Sequence, residues 1–556
     1  MSSSLHTHSY FSILDGYSSP EENLKRASEL GLKAIAITEH GELTSHPYYA
    51  ELRNKYPDIK QLFGIEAYEC EDREIKDPNN KYYHMILIAR NEDGRRAINR
   101  ISTLGHLHGS KPRVTRYDIA KEGADNLIVL SACLASRLSR TEDYNTCLEM
   151  VREYKELFPY YFLEIQAHDN IDQETYNKKI MRLSHDTNTP VVVTNDVHAA
   201  TKEDLYYQDY FLRIAQDKET AAEIYNGCYF MSDEEIHEVL DKQIGYDAVC
   251  ECLKNTDFVA DLCEDVDMPW HEPELPKIDI PDKYSSSAEY LRELTWDGYC
   301  KRGMDKWPQE KQDTYKTRIE EELDVIGKKD FCDYFLILVD YINWCKQNGV
   351  IVGPGRGSAC GSEVCYLLGI TNLDSIKYDL DFGRFLTIER KDLPDVDVDV
   401  SDRAKVVDYL TNKYGEDRVV QVMNIVYTSP ITSIRDIGKL LGLSYKETEK
   451  IFQRINEIPF DSNRKMMTTI HRVDNKYRII TKGAPDVLLE KCKNSVGEKQ
   501  KIQTENLQMA KKALRVIAVA YKELDVLPDK INTENIENNL EFVRTNWNDR
   551  STKKRC

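Results

Sequence analysis

The sequence predicts an α/β protein, because apolar strand-like runs alternate with amphipathic helical stretches over residues 1–270. The helical stretches are clearest at 20–30 and 144–157. Repeated βα units of this kind are typical of a parallel sheet or a barrel. The clearest strand-like runs are 33–38, 84–89, 127–131 and 190–194.

The composition indicates an ordinary globular chain rather than a disordered or membrane-spanning one. Of the 556 residues, 41% are hydrophobic and 31% are charged, and no apolar run approaches the ~18 residues of a membrane helix. The 14 cysteines include no CxxC pair and the first residues lack a secretory pattern, so we expect a cytoplasmic location. The net charge of −20 argues against binding nucleic acid by bulk charge, although a local basic groove remains compatible with it.

Histidines, carboxylates and one cysteine recur where the predicted strands begin or end. His6 and His8 are two residues apart, which places both imidazoles on one face of a strand, and Asp196 and His198 repeat that spacing. A lone histidine on an apolar strand is more often an ordinary core residue, but a whole set at strand edges favours metal binding. The candidate ligands are His6, His8, Asp15, His40, Glu66, His84, Cys133, Asp196 and His198.

Several of these residues follow the carboxyl ends of strands, which is the face where β/α barrels build their active sites. Imidazole, carboxylate and thiol groups together suit two or three borderline ions such as Zn²⁺ or Mn²⁺. Such ions lower the pKa of a bound water and hold both oxygens of a phosphodiester displacement. The remaining histidines lack this context, and we expect them to be ordinary: residues 46, 106, 108, 168, 185, 237, 271 and 471.

A glycine-rich loop at 353–362 packs four glycines into ten residues and leads into a helical pattern at 363–368. A glycine loop that opens a helix offers backbone N–H groups to phosphate oxygens. Arg356 can add a charge-assisted contact, and Ser358 or Ser362 a hydroxyl. Considered alone, the loop is better explained as a plain tight turn. The candidate nucleotide-binding residues are Gly355, Arg356, Gly357 and Ser358.

Three aspartates alternate with valines in the run 394–400, which predicts a short acidic strand at 395–400. On such a strand Asp395, Asp397 and Asp399 face one way and the valines face the other. A solvated acidic edge is the alternative interpretation. A pair of Mg²⁺ ions would neutralise the same face, and carboxylates beside a phosphate-binding loop suit two-metal phosphoryl transfer.

The motifs of the first unit resemble the polymerase-and-histidinol-phosphatase (PHP) domain, in the version that begins the bacterial DNA polymerase III alpha subunits. The resemblance implies a barrel-like metal-dependent 3′–5′ exonuclease, with all nine candidate positions filled by metal-binding residue types. It is carried by residues 6–8, 14–16, 38–41, 64–68, 83–89, 131–134 and 194–198.

Residues 286–450 resemble the palm and the start of the thumb of the same C-family replicative polymerases. The resemblance implies an α+β palm of nucleotidyltransferase type, in which Asp397 and Asp399 hold the catalytic Mg²⁺ ions; Val400 replaces the usual Phe. It also implies a DNA primer-template, deoxynucleoside triphosphates and replisome subunits as partners, and no membrane. The matching runs are 290–294, 333–338, 352–358, 383–386, 394–399 and 433–439.

The family's third metal-binding aspartate, in a Phe-Asp-x-Leu-Gly context, is not found in these 556 residues, nor are its fingers, clamp-binding and OB regions. Residues 452–543 instead resemble part of the nucleotide-binding domain of a P-type cation ATPase. Phe460, Lys482 and Arg515 would there match residues that hold ATP. The phosphorylated Asp-Lys-Thr-Gly motif is absent, so we expect a chimera whose final segment cannot pump.

The sequence therefore predicts the amino-terminal portion of a DNA-directed DNA polymerase with a 3′–5′ exonuclease, whose own polymerase activity is doubtful. One alternative is a metal-dependent phosphoesterase joined to an inert polymerase part; another is a non-enzymatic remnant that binds DNA or replisome partners. The expected segments are a PHP domain (1–272), a linker (273–285), an incomplete palm (286–429), the start of a thumb (430–451), an ATPase-like antiparallel-sheet fragment (452–543) and a tail (544–556).

Overall fold

The chain folds as two compact units in a computed structural model. One unit comprises Met1–Pro269 together with Val426–Cys556, and the other comprises Trp270–Ile425. The structure describes residues 3–75, 81–107, 111–216, 225–268, 276–389, 393–416, 418–422, 424–451, 454–462, 464–473, 476–494, 498–499, 502–504, 506, 515–528 and 530–548. Part of the predicted linker (273–275) and most of the predicted tail lie outside these residues.

An eight-stranded sheet organises residues 4–194. Its order is β1-β2-β3-β4-β6-β7-β8, and β5 pairs with β3. The strands are β1 (Ser4–Thr7), β2 (Ala34–Ile37), β3 (Lys60–Glu69), β4 (Tyr83–Ala89), β5 (Arg113–Val114), β6 (Leu127–Leu130), β7 (Tyr161–Gln166) and β8 (Val191–Thr194).

The two edges of this sheet meet, so the sheet is nearly closed. A parallel bridge joins Thr7, at the end of β1, to Val197, just beyond β8. The His8 N–H donates to the Val197 carbonyl at 2.7 Å, and the Val197 N–H donates to the His6 carbonyl at 3.1 Å. The predicted α/β class and the barrel-like first unit are confirmed.

One strand departs from the all-parallel arrangement that repeated βα units predict. β4 runs antiparallel to both of its neighbours, β3 and β6. No helix is formed among the described residues between β3 and β4, and a parallel connection needs a crossover of about a dozen residues that is usually helical. The expectation of a purely parallel sheet is therefore wrong at β4.

Alternate residues of the strands face two different apolar layers. Ala34 and Ala36 of β2 belong to a cluster with Leu5, Leu62 and Ile128. The intervening Ile35 and Ile37 pack instead with residues of the surrounding helices. Because both faces of each strand are buried, the strands have the nearly continuous apolar sequences that identify them.

Helices cover the outside of this sheet, and several begin at side-chain caps. Ser19, Thr115 and Ser232 each form a capping box with an acidic residue three positions on. The predicted helices 20–30 and 144–157 are found with those bounds. The helices of this region are α1 (Pro20–Leu30), α2 (Ser45–Glu51), α3 (Glu92–Leu107), α4 (Arg116–Gly123), α5 (Arg137–Arg140), α6 (Tyr144–Leu157), α7 (Ile171–Thr187), α8 (Asp204–Gln216), α9 (Asp233–Ile244) and α10 (Tyr246–Leu262).

The second unit is helical around its own apolar core, to which Phe335, Ile319 and Leu367 contribute. Where an α+β palm is expected, the described residues of this unit hold helices and one isolated antiparallel bridge, between Val352 and Val400. The predicted acidic strand at 395–400 is therefore not formed beyond that bridge. The helices are α11 (Ser287–Lys301), α12 (Gln309–Lys328), α13 (Cys332–Gln347), α14 (Glu363–Leu367) and α15 (Arg403–Tyr414).

Two further helices, α16 (Pro430–Leu440) and α17 (Tyr445–Ile451), precede a five-stranded antiparallel sheet. The sheet has the order β13-β12-β11-β10-β9, and the predicted antiparallel segment is confirmed. No helix among the described residues is long and apolar enough to cross a bilayer. The remaining elements are β9 (Arg454–Asp461), β10 (Met466–Val473), β11 (Lys476–Gly483), α18 (Pro485–Glu490), β12 (Arg515–Leu524), α19 (Thr533–Ile536) and β13 (Glu541–Asn548).

Candidate metal centre

The nine predicted ligands converge at one rim of the nearly closed sheet. His6 lies on β1 and His8 directly after it, while Asp196 and His198 follow β8, so the Thr7–Val197 bridge brings the two pairs together. His40 follows β2 and forms a parallel bridge with Glu66 of β3. The spacing of these residues in the sequence thus becomes a single cluster in space.

His84 reaches this rim because β4 is antiparallel. It stands near the start of β4 and is paired in register with Tyr68, near the end of β3. In a purely parallel sheet the start of a strand would lie at the opposite end from the site. The strand that departs from the predicted topology is therefore the one that delivers this ligand.

Two carboxylates stand at the centre of the histidines. One Asp196 oxygen (Oδ1) lies 3.1 Å from His6 Nε2 and 3.3 Å from His8 Nε2. One Glu66 oxygen (Oε1) lies 2.8 Å from His84 Nδ1, and the other (Oε2) lies 2.5 Å from His40 Nδ1. Each carboxylate thus faces at least two imidazoles, which is the arrangement of a shared ligand set.

The remaining groups complete the rim. His40 Nε2 lies 2.8 Å from Asp15 Oδ2, and His198 Nε2 lies 3.6 Å from the same oxygen. The Cys133 sulfur lies 3.7 Å from His84 Nδ1. Among the residues that the structure describes, four overlapping triplets have ligand atoms within 4.8 Å of one another: His8, His40 and His198; His6, His8 and Asp196; His40, Glu66 and His84; and Asp196, His198 and Cys228.

The electrostatics of the cluster keep its carboxylates ionised although they are buried. Burial raises the pKa of Glu66, but the neighbouring His84 and His40 outweigh it and hold the pKa well below the usual range. Burial likewise raises the pKa of Asp196, but His6 and His198 outweigh it and hold that pKa well below its usual value. Ionised carboxylates are the forms that coordinate cations.

The imidazoles divide into two classes. Burial, reinforced by His40 and His198, lowers the pKa of His8 to about 3. Burial also lowers the pKa of His40, but Glu66 and Asp15 outweigh it and raise the value to about 9. With that pKa, His40 carries a proton whose positive charge balances Glu66 and Asp15. A cation bound at the centre would replace this proton, since metal binding releases protons from its ligands.

The donor set fits transition-metal ions. Within the described part of the chain, Glu66 Oε2 and Asp196 Oδ1 are buried and lie close to imidazole nitrogens, but they accept no well-aligned hydrogen bond. A cation bound between the carboxylates and the imidazoles would be a better-placed partner for both oxygens. Imidazole nitrogens, carboxylate oxygens and a thiol together are typical of Zn²⁺ or Mn²⁺ rather than of Mg²⁺ or Ca²⁺.

Backbone strain accumulates beside the same ligands. Asp196 itself has φ +50°, Leu14 before Asp15 has φ +66°, and Ala132 before Cys133 has φ +62°. Side chains other than glycine rarely adopt this left-handed region, and such residues concentrate at functional sites. The chain therefore holds strained backbone at three places in order to aim these side chains.

Three functional neighbours were missed from sequence. Glu164 Oε1 lies 2.8 Å from His6 Nδ1 and orients that ring, and Tyr225 donates to Asp15 Oδ1 at 2.6 Å. Cys228 lines the same cavity. A glutamate inside the apolar run 161–166 was a usable signal for Glu164, whereas Tyr225 and Cys228 lie in a segment without strand spacing.

The centre opens into a cavity of about 210 Å³. His168, which the sequence places among the ordinary histidines, lines it as well. His46 is ordinary as expected, because its Nε2 lies 2.9 Å from the Gly64 carbonyl within the core. Arg140 also lines the cavity and adds a positive charge at its edge.

The glycine loop is held against the acidic run in the second unit. The Gly353 N–H donates to the Asp399 carbonyl at 2.8 Å. Gly355 has φ +108°, and a Cβ there would lie 2.9 Å from Thr371 atoms, so the position requires glycine. Gly357 and Ser358 are exposed to solvent.

The helix that follows this loop does not offer a free amino terminus. Glu322 accepts hydrogen bonds from the Glu363 and Val364 N–H groups at 3.0 Å each, and from the Ser362 hydroxyl at 2.7 Å. The helix-opening part of the phosphate-binding hypothesis, and Ser362 as its hydroxyl, are therefore wrong. The stretch from Arg356 to Ser358 is exposed and remains available to a ligand, whereas Gly355 is half-buried.

Asp397 and Asp399 lie beside that exposed stretch, whereas Val396 and Val398 pack against the apolar core. The two aspartate side chains are 42% and 64% exposed. The predicted division into an acidic face and a buried face is thus present although the strand is not. Arg356 pairs with both aspartates.

Phe460 and Lys482, the candidate ATP-binding residues of the last segment, are both exposed on the antiparallel sheet. The side chain of Arg515 lies outside the described residues. Nothing in this geometry tests the resemblance to a P-type ATPase, which stays a prediction.

Two protein families match the chain in adjacent regions. Residues 4–168 match the PHP domain, and residues 289–535 match the bacterial DNA polymerase III alpha NTPase domain. The chain is therefore similar to the bacterial DNA polymerase III alpha family. The second match extends through most of the segment that resembles a P-type ATPase.

Curated relatives in the polymerase III alpha family agree with this assignment. The DNA polymerase III subunit alpha of Aquifex aeolicus is 35% identical over 480 residues, which cover 81% of this chain and 41% of the relative. The subunit of Treponema pallidum is 34% identical over 472 residues, covering 82% of this chain and 39% of the relative. The chain therefore spans about two fifths of the length of the curated relatives that it matches.

Among solved structures, a provisionally assigned metal-dependent phosphoesterase from Bifidobacterium adolescentis covers 44% of this chain and 96% of its own. The sequence identity is 13% and the TM-score is 0.27. A likeness of that size carries no inference about this polymerase III alpha relative.

Proposed function

We propose that the metal centre of this chain hydrolyses the terminal phosphodiester bond of DNA as a 3′–5′ exonuclease. The observation that carries the proposal is the pair of buried carboxylates, Glu66 and Asp196, which face five histidines without a well-aligned hydrogen bond at Glu66 Oε2 and Asp196 Oδ1. Similarity to the polymerase III alpha subunits supports a DNA substrate. The proposed extent of this domain is residues 1–272.

The chain would hold its ions through the nine predicted ligands. Zn²⁺ or Mn²⁺ supplies a water of lowered pKa and neutralises phosphate charge. Glu164 fixes the ring of His6, and such outer hydrogen bonds orient ligands and raise their basicity. Tyr225 fixes Asp15 in the same way.

The cavity favours a phosphate-containing end group over a folded nucleic acid. Its volume of about 210 Å³ is small compared with the ~300–1,000 Å³ of drug-sized ligand sites. Arg140 at its edge can pair with a phosphate oxygen. A single-stranded end, which can enter as one nucleotide, is the substrate that this shape accommodates.

The test is digestion of single-stranded DNA by the full 556-residue chain in the presence of Mn²⁺ or Zn²⁺. Substrates labelled at the 3′ or the 5′ end show the direction of degradation. The His6→Ala, His8→Ala double variant should lose activity, and His185→Ala, at a side chain 89% exposed on α7, serves as the matched control.

The possible outcomes separate the candidate activities. Stepwise loss of the 3′ label that depends on His6 and His8 supports the exonuclease. Cleavage of small phosphodiesters without cleavage of DNA favours a general phosphoesterase. If the double variant digests DNA as well as the unaltered protein does, the centre is not the site of the reaction.

We also propose that Asp397 and Asp399 are the Mg²⁺-binding carboxylates of a DNA-directed DNA polymerase, as the family implies. The support is their exposure beside the loop from Gly355 to Ser358. The proposed partners are a primer-template, deoxynucleoside triphosphates and replisome subunits. The non-enzymatic alternative predicts DNA binding that is unaffected by Asp397→Asn and Asp399→Asn and no catalysis.

A primer-extension assay on these 556 residues with Mg²⁺ tests the polymerase. Nucleotide addition needs the triphosphate aligned with the primer 3′ oxygen, and an error of ~1 Å can cost about 10²-fold in rate. Because the third carboxylate is not found in these residues, we expect poor extension. Robust synthesis that Asp399→Asn abolishes would show that another residue replaces it.

A further inference from the structure

Cys228 lies inside the candidate metal centre although it is not among the nine predicted ligands. It lines the same cavity and is 3% exposed. Its sulfur forms a triplet with Asp196 and His198, whose ligand atoms all lie within 4.8 Å of one another. The other triplets of the centre meet this same criterion.

The backbone fixes Cys228 against the ligand strand. The His198 and Ala199 N–H groups both donate to the Cys228 carbonyl, at 2.9 and 3.2 Å. Ala199 forms a parallel bridge with Tyr229, the next residue. The backbone of Cys228 is therefore hydrogen-bonded directly to the backbone of His198.

The neighbouring positions are shaped to permit this approach. Gly227 has φ +110°, and a Cβ there would lie 2.6 Å from His168 Cδ2. His168 Nε2 lies 2.9 Å from the Asn195 carbonyl and 3.8 Å from the Cys228 sulfur. A side chain larger than glycine at 227 would separate the sulfur from this ring.

Asp196 supplies the independent sign of a ligand at this point. Its Oδ1 is buried, lies near the rings of His6 and His8 without accepting a well-aligned hydrogen bond from the described residues, and belongs to a residue that lines the same cavity as Cys228. A cation held by Asp196 and His198 would give that oxygen a well-placed partner. A thiol in the same cavity is then the next available ligand.

We propose that Cys228 is a further ligand of this centre, coordinating the ion that Asp196 and His198 hold. The sulfur binds as the thiolate and its proton passes to solvent. With Cys133, which lines the same cavity, the centre would offer two thiolates. Soft ligands of this kind favour Zn²⁺ and Cd²⁺ over Mn²⁺.

The inference rests on the proposed metal centre, and cadmium binding tests the two separately. The full metal-free chain is titrated with Cd²⁺, and the ultraviolet thiolate-to-cadmium charge-transfer band is recorded at saturation of the tight sites. Two equivalent thiolates predict that Cys133→Ser and Cys228→Ser each remove about half of this band, and that the double variant removes nearly all of it.

Cys147→Ser is the matched control, since Cys147 is buried on α6 among carbonyl groups away from the cavity. It should leave the band unchanged. A Cys228→Ser band equal to that of the unaltered protein overturns the proposal for Cys228 alone. Failure of the chain to bind Cd²⁺ tightly overturns the metal centre itself.

A measurement on the unaltered protein covers the case in which a variant does not fold. X-ray absorption of the zinc-loaded chain counts sulfur neighbours, and multiplication by the zinc content gives the sulfur ligands per protein. Two sulfur ligands per protein support Cys228 as a ligand. One sulfur ligand per protein contradicts it.

Discussion

Arg356 Nη2 lies 3.0 Å from Asp397 Oδ1, so the glycine loop and the acidic run meet through an ion pair. The same guanidinium places Nε 3.4 Å from Asp399 Oδ1. A cation bound by these two aspartates would be repelled by the positive charge of Arg356. The loop and the proposed Mg²⁺ site are therefore electrostatically coupled.

Removal of Arg356 should strengthen cation binding at the two aspartates. All three side chains are about half exposed, and surface ion pairs of this kind contribute ~1 kcal/mol or less. The cation affinity of Arg356→Ala should therefore rise by only a few-fold. Asp397→Asn should weaken binding. Titration with Mn²⁺ followed by electron paramagnetic resonance measures both effects.

Lys405→Ala provides the control, because Lys405 pairs with Asp402 on an exposed helix start in the same unit. It should leave the Mn²⁺ affinity unchanged. Equal affinities in the unaltered chain and in Asp397→Asn would contradict the assignment of these carboxylates.

Glu164→Gln should weaken zinc binding without unfolding the first unit. The substitution keeps the volume but removes the charge that faces His6 Nδ1 at 2.8 Å. Loss of such an outer partner typically costs about 10- to 100-fold in metal affinity. Competition with a zinc chelator measures the change, and Glu174→Gln, whose carboxylate pairs with Lys178 on the surface of α7, should show none. A Glu164→Gln affinity within two-fold of the control, on the order of 0.4 kcal/mol, would show that His6 is oriented by other groups.

Glu363 should make the second unit more stable at low pH. Burial, reinforced by Asp374 and Glu322, raises the pKa of its carboxyl to about 7 in the folded chain. Because the folded state holds this proton more tightly than the unfolded state, stability falls as pH rises from about 4.5 through about 7. The total change should be roughly 1–3 kcal/mol, and Glu363→Gln should remove this pH dependence.

Urea unfolding at pH 5 and pH 8 measures this difference. Trp296, Trp307 and Trp344 lie in the second unit, so tryptophan fluorescence reports mainly on it. A variant with the same pH dependence as the unaltered chain would assign the effect to another group.

Replacing either of two glycines of the second unit by alanine should change its stability in opposite directions. At Gly355 a Cβ would meet Thr371 at 2.9 Å and the backbone has φ +108°, so Gly355→Ala should destabilise by roughly 1–3 kcal/mol. At Gly327, within α12, a Cβ would meet nothing within 4 Å. Gly327→Ala should therefore stabilise by about 0.5–1 kcal/mol, through the helix preference of alanine. Thermal unfolding compares the two, and a stabilised Gly355→Ala would contradict the required left-handed turn.

Local patterns predicted much of the first unit. The apolar runs and the helix 20–30 follow from spacing and capping within a few residues, for example Ser19 with Glu22. The convergence of His6, His8, Asp196 and His198 follows from the rule that strand ends share a rim. Their role as ligands stays a prediction.

Features that depend on distant partners were not predicted. The direction of β4 is set by its neighbours and not by its own residues, and Cys228 is brought to the centre by hydrogen bonds from His198 and Ala199. Residues 395–399 alternate like a strand. Within the run 394–400, however, only Val400 forms a β-bridge with another described residue, Val352. An alternating run without a neighbouring strand remains an extended segment.

The bridge between Thr7 and Val197 also sets an order of events during synthesis. The groups that flank it, His6 and His8 on one side and Asp196 and His198 on the other, leave the ribosome nearly two hundred residues apart. A nascent chain shorter than 198 residues contains only part of the set. Tight ion loading at this centre therefore requires that the chain has been synthesised through His198 and that the bridge between Thr7 and Val197 has formed.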